Sequence, residues 1–381
     1  DDLDNVRAAW DWAVTRRDID ALERATLSLY RYYEMRSLFR EGAERFIGAA
    51  QFLDGSELDR IRARLLARGA WFAFQMSRQQ EALSWLQQGV ALFRDKQDRL
   101  ELLFCLNYLA AVMQHSGDYE SAELHGEAAL RLARQCANVH GIVVSQNILS
   151  QIAYEVAEFD KARRLAQVSL ALDRERGNNW SAAFSLVNVG RALLALGEFG
   201  NAVACFAEAL KIRKAIGDPR GTGYCLNLLG DVAAAQDNID EARLRYHDAL
   251  GLFEGISNLQ GAGESLLRLG RLALVAGDLA VAERTLLEAL RRASLVGATP
   301  LQLGVLAELA VAFWHQGDPR AAELAELVLS HNATRGASRA RLDWFGAAAS
   351  AAGEPDCYDR LREVVASLLP VADSAVVAVE I

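Results

Sequence analysis

The chain has 381 residues, 52% apolar and 24% charged, which is enough apolar content to fold and more length than one compact core usually holds. Its net charge of −9 argues against the basic stripe of a nucleic-acid binder, and no apolar run approaches the ~18 residues of a membrane span, so neither nucleic acid nor membrane is an expected partner. The five cysteines show no C-x-x-C spacing, the usage of a reducing cytoplasm, where the protein is expected, rather than of a disulfide framework.

Residues 1–18 are expected to form a capping helix. The opening Asp1-Asp2-Leu3-Asp4 lacks the basic and apolar regions of a signal peptide and reads as a point inside a longer polypeptide.

From residue 19 to 336 the sequence repeats every 40 positions. Small residues recur at Gly42, Ala82, Ala122, Ala162, Ala202, Ala242, Ala282 and Ala322. Twelve positions earlier runs a second series, which includes Ala110, Ser150, Gly190, Gly230 and Gly270, and seven positions later a third, which includes Gly89, Ala129, Ala209 and Ala249. Eight units share this register without an insertion. Each reads as two amphipathic helices: Leu186, Val189, Leu193 and Leu194 mark the first face of one unit, and Ala202, Val203, Phe206, Ala209 and Leu210 the second. The turn between them is predicted at Gly197-Glu198-Phe199-Gly200, with glycine at the helix end and Asp in related turns capping the next helix. The small series is expected where two helices cross closely. This pattern predicts an all-α, right-handed superhelical solenoid of antiparallel helix pairs.

Residues 337–369 are expected to form a degenerate capping hairpin of helices over 338–352 and 356–369. Residues 370–381 make an apolar, β-branched tail.

No G-x-x-x-x-G-K-[ST] and no H-E-x-x-H occur, and Gly221-Thr222-Gly223 lacks the lysine of a phosphate loop. His115 and His125 could meet across a hairpin but are too few for a metal site. Cys105, Ser145, Ser185 and Cys225 share one repeat position, as a small packing residue does and a nucleophile does not. We therefore expect no enzyme, no cofactor and no metal.

With Ala183 as position 1, Leu186 falls at 4, Val189-Gly190 at 7 and 8, Leu193 at 11, Ala202 at 20, Phe206 at 24 and Ala209 at 27. This resembles the tetratricopeptide pattern, with Leu for the first aromatic, Lys214 for the late proline, and a period of 40 rather than 34. The longer period is similar to the repeats of kinesin light chain and of the Leu-Gly-Asn family. Asp4-Asn5-Val6-Arg7-Ala8-Ala9-Trp10-Asp11-Trp12-Ala13 resembles the segment that opens such arrays in bacterial signal-transduction ATPases with numerous domains, the AfsR- and MalT-like regulators. That resemblance implies a non-catalytic sensor array following an NTPase module. A static adaptor is the alternative.

The resemblance also implies that positions 2, 5, 9 and 12 of each first helix line a concave groove. There the chain places Asn107, Asn147, Gln151, Tyr154, Arg191, Tyr224, Asn227, Asp231 and Arg271, with Asn188 at the neighbouring position 6. Amides suit a peptide backbone, and arginines suit carboxylates. The expected ligand is a peptide or protein. The bland alternative is that Arg191, Asp231 and Arg271 pair with one another.

Overall fold

A computed structural model describes residues 2–53, 59–76, 78–331, 334, 338, 342 and 357–369. Helix α1 spans Asp2–Arg16. First (A) helices of the hairpins follow as α2 (Ile19–Met35), α4 (Asp59–Gln75), α6 (Arg99–His115), α8 (Val139–Glu155), α10 (Asn179–Ala195), α12 (Pro219–Ala235), α14 (Leu259–Val275) and α16 (Thr299–Gln316). Second (B) helices alternate with them as α3 (Phe39–Phe52), α5 (Gln79–Asp95), α7 (Tyr119–Gln135), α9 (Phe159–Glu175), α11 (Phe199–Ala215), α13 (Ile239–Gly255), α15 (Leu279–Leu295) and α17 (Arg320–Ser330). Helix α18 spans Cys357–Leu368. Among the described residues there is no strand. The fold is an all-α helical-hairpin solenoid.

The 40-residue unit halves in the structure, because helix starts recur every 20 residues from α2 to α15. One three-residue joint serves both within and between hairpins. At Leu196-Gly197-Glu198, the Gly197 N–H donates to the Leu194 carbonyl at 3.0 Å and the Glu198 N–H to the Leu193 carbonyl at 2.9 Å, which closes α10. The Glu198 carbonyl then accepts the Ala202 N–H at 3.0 Å and opens α11. The joint is therefore shorter than the predicted turn, and Phe199 and Gly200 are already helical. Between hairpins, Asp218 takes the same place, and its carboxylate accepts the Gly221 N–H at 2.8 Å. The middle residue needs positive φ: 76° at Gly197 and 68° at Gly217, but also 62° at Ala157 and 59° at Asp237. Those non-glycine joints carried no sequence signal.

The small series sits where it was expected. Ala82, Ala122, Ala162, Ala202, Ala242 and Ala282 are fully buried. Ala322 is exposed, and Ala321 is buried in its stead. The register slips by one residue because α16 runs on to Gln316 and Pro319 becomes the N-cap of α17.

Two compact units result, Asp1–Gln114 with Glu120–Ile148, and His115–Tyr119 with Leu149–Ile381. In the first, Trp10, Leu22, Tyr33, Phe46 and Phe72 form one cluster, and Leu86, Phe93, Leu103 and Cys105 another. A buried ion cluster lies beside them. Arg68 pairs with Glu101, each about 95% buried, and Arg64 Nε lies 2.9 Å from the same carboxylate. The Arg68 guanidinium lies 3.8 Å from the Phe104 ring centroid. In the second unit, Leu361, Val364 and Val365 of α18 join the apolar cluster of the last hairpins, with α18 packed against α17 and α15. Of the expected capping hairpin, the helix over 338–352 falls largely outside the described residues, as does the tail.

His331, at the end of α17, is fully buried, and that burial lowers its pKa to about 4. Above pH ~6.5 the ring is neutral in folded and unfolded chains alike, and its titration costs nothing. As pH falls from there towards 4, only the unfolded chain takes the proton, and stability drops. The whole penalty is about 3 kcal/mol by pH 4 at ~1.4 kcal/mol per pH unit. Urea midpoints for wild type and His331→Leu should therefore move apart in the variant's favour between pH 7.5 and 4.5. A constant difference would show that the ring is not held neutral.

Candidate binding surface

The first helix of each hairpin carries the predicted residues, but the predicted row divides. Asn107 and Asn147 belong to the first unit, and the other eight residues to the second.

Position 5 is an interhelix packing position. Ser145 Oγ donates to Asn107 Oδ1 at 2.7 Å, and Ser265 Oγ donates to Asn227 Oδ1 at 3.1 Å. Both asparagines are at most 3% exposed. Each bond joins position 5 of one A helix to position 3 of the next, so these amide oxygens are used in stacking hairpins. Asn147 is half-buried on α8.

Position 9 meets position 6 of the following A helix, 37 residues on. Gln151 Nε2 lies 3.5 Å from Asn188 Oδ1. Arg268 grips Asp231 through Nε and Nη2 at 2.8 and 3.2 Å, and the Tyr246 hydroxyl donates to the same carboxylate at 2.9 Å. Arg271 Nε donates to Glu308 Oε1 at 2.8 Å. The same spacing in the first unit stacks Trp71 on Tyr108, with centroids 4.7 Å apart. Arg191, Asp231 and Arg271 thus do not pair with one another. Arg268, Glu308 and Tyr246, which the sequence reading missed, are their partners or neighbours. Opposite charges at i and i+37 were the available signal.

The electrostatics follow from burial. Burial opposes the charge on Arg268, yet Asp231 and Glu264 hold its pKa above the usual arginine value. Burial, with the Asp231 charge added, pushes the Tyr246 hydroxyl upward, so it stays a donor. Tyr224 is pushed up by burial and by Glu264, its ring edge-on to Phe253 at 5.1 Å.

Arg191 is different. Its guanidinium stacks over the Tyr154 ring at 4.1 Å, and its one ion pair among the described residues is a 3.4 Å contact between Nη2 and Glu155 Oε1. The stack fixes the fork while leaving most of its five N–H groups for another acceptor.

Residues 181–255, which fall within α10–α13, match the tetratricopeptide repeat family model. The chain carries a tetratricopeptide repeat array. No curated protein matches it. Among solved structures, a Rap protein complexed with Competence and Sporulation Factor aligns with a TM-score of 0.54 at 15% identity, over 84% of this chain and 99% of its own. A signal-transduction ATPase with numerous domains bearing a tetratricopeptide repeat sensor, from Pyrococcus horikoshii, aligns with a TM-score of 0.53 at 16% identity. That alignment covers 80% of this chain, which spans 45% of the ATPase. BtubC from P. vanneervenii aligns at 20% identity and a TM-score of 0.46, over 57% of this chain and 90% of its own. The tetratricopeptide fold accounts for the small residues between helices. Among the described residues no helix is long and apolar enough to cross a membrane, and no cluster of three metal-binding side chains occurs.

Proposed function

We propose that this tetratricopeptide array is a protein-binding sensor that captures an acidic peptide segment on the A-helix row of its second unit. The carrying observation is Arg191, a pre-oriented fork stacked on Tyr154 and held, among the described residues, by one long ion pair. Arg271, half-exposed and paired with Glu308, supplies a second cation on α14. Gln151, half-buried at position 9 of α8, supplies an amide for a peptide backbone. A carboxylate replacing the weak Glu155 contact gains a charge-assisted, two-pronged bond at little ordering cost.

In the wider protein, an NTPase module preceding Asp1 would respond to capture. Ligand binding stabilises one arrangement of the hairpins over others, a population shift. The likeness to an ATPase with a tetratricopeptide repeat sensor, and to a Rap protein complexed with Competence and Sporulation Factor, supports this reading at the level of fold.

The test uses fluorescein-labelled acidic hexapeptides from a positional-scanning library. Arg191→Glu should weaken every selected binder at least tenfold, since a charge-assisted bond is worth about 1.5–3 kcal/mol. Arg243→Glu, on a B helix, should leave affinity unchanged. Equal affinities for wild type and Arg191→Glu would remove the row as the site.

A further inference from the structure

The second unit carries a cleft on another side of its A helices. It lies between the B helices α9 and α11, has a volume of about 460 Å³, and is floored by Leu186, Val189 and Leu193 of α10. These are positions 4, 7 and 11, a different stripe from positions 5, 9 and 12, which hold Val187, Arg191 and Leu194. Small side chains open it. Helix α11 places Ala204 and Cys205 in one wall, where the same two repeat positions hold Arg164-Leu165 on α9 and Leu244-Arg245 on α13. Ala171 is the small residue of the facing wall. The floor residues are at most 6% exposed, Cys205 is half-buried, and Ala171 and Ala204 are exposed, so the cleft leads from solvent to an apolar bottom.

Ion pairs cross both ends. Arg163 Nη1 donates to Glu198 Oε1 at 2.9 Å, and Arg174 Nη2 donates to both Glu208 oxygens at 2.8 Å. Arg163 and Arg174 lie about 16 Å apart along the axis of α9. The volume falls in the range of small-molecule sites, roughly 300–1,000 Å³. A partner helix, about 10–12 Å across, would need far more over that length.

The rim selects the charge of the occupant. Arg174 takes both Glu208 oxygens, while Arg163 and Asn201 take those of Glu198, so the carboxylates are engaged. Arg163 is itself shared between Glu198 and Asp160. Arg174 differs: its side chain is 54% exposed, and its Nε and Nη1 have no partner among the described residues. A guanidinium with that edge open receives a carboxylate on two N–H groups.

We propose that this cleft binds a medium-chain monocarboxylic acid, with its hydrocarbon on Leu170, Leu186, Val189 and Leu193 and its carboxylate on Arg174. The site goes beyond the acidic-peptide row and shares no residue with it.

The probe is decanoate, whose nine C–C bonds of ~1.5 Å keep it under about 14 Å. Equilibrium dialysis of ¹⁴C-decanoate against the full chain should show one saturable site. Ala204→Leu, which gives α11 the leucine that α13 has there, should weaken binding at least tenfold, and Arg174→Gln at least fivefold. Both replace exposed side chains, so the fold should tolerate them. Arg191→Glu should change nothing, and decylamine should displace the label at least tenfold less well than unlabelled decanoate. No saturable binding, binding unaltered by Ala204→Leu or by Arg174→Gln, or equal displacement by decylamine overturns the proposal. Arg191-dependent capture of acidic peptides would survive each of these results, so the two readings fail separately.

Discussion

Glu101→Ala should destabilise the protein by about 3–5 kcal/mol, the usual cost of removing one partner from a buried ion pair. Glu101 is 5% exposed and holds both Arg68 and Arg64. Without it, Arg68 keeps its charge, and the Phe104 ring 3.8 Å away offsets only part of the lost attraction. The double variant Arg68→Met/Glu101→Leu should recover most of the loss, because apolar groups of similar volume carry no desolvation penalty. Urea unfolding of the two variants beside wild type decides the matter. A double variant as unstable as Glu101→Ala would mean that shape, and not charge, sets the requirement at this position.

Phe206→Ala should cost a similar 3–5 kcal/mol, the range for emptying a fully buried aromatic site. The argument extends to its partner. A Cβ added at Gly190 would lie 2.5 Å from Phe206 Cε1, so Gly190→Ala should destabilise wild type by about 1–3 kcal/mol through overpacking. In the Phe206→Ala background the obstruction is gone. There the same substitution should stabilise, by up to the ~1 kcal/mol helix-propensity advantage of Ala over Gly. The sign reversal is the informative outcome, and additive effects would show that the two positions do not share a cavity. The same pairing recurs as Gly230 against Tyr246 and Gly270 against Leu286. Where position 8 is the larger Ala110 or Ser150, position 24 shrinks to Gly126 or Ala166.

Much of the fold was legible because a repeated hairpin writes the same constraint many times. Ala202 at a close crossing and Gly197 at positive φ are each one of a series. The joints at Ala157 and Asp237 were illegible, since no glycine marks them. The eighth hairpin's slip was hidden too, because Ala321 and Ala322 are identical in kind and only the length of α16 decides which is buried.

The binding surface was less legible, for a physical reason. Helical spacing identifies which residues share a stripe, but not whether the stripe is covered by the next hairpin. Asn107 and Asn227 lie on the predicted stripe, yet each bonds a serine 38 residues later and is buried. Arg191 lies on the same stripe and stays accessible.

From the amino-acid pattern alone came the all-helical repeat, its 40-residue period, and the positions where helices touch, because periodic burial and turn chemistry are local properties. Tertiary structure alone decided which polar side chains the neighbouring hairpins consume and which they leave available, because that depends on how far apart successive A helices stack and on what the partner side chain can reach.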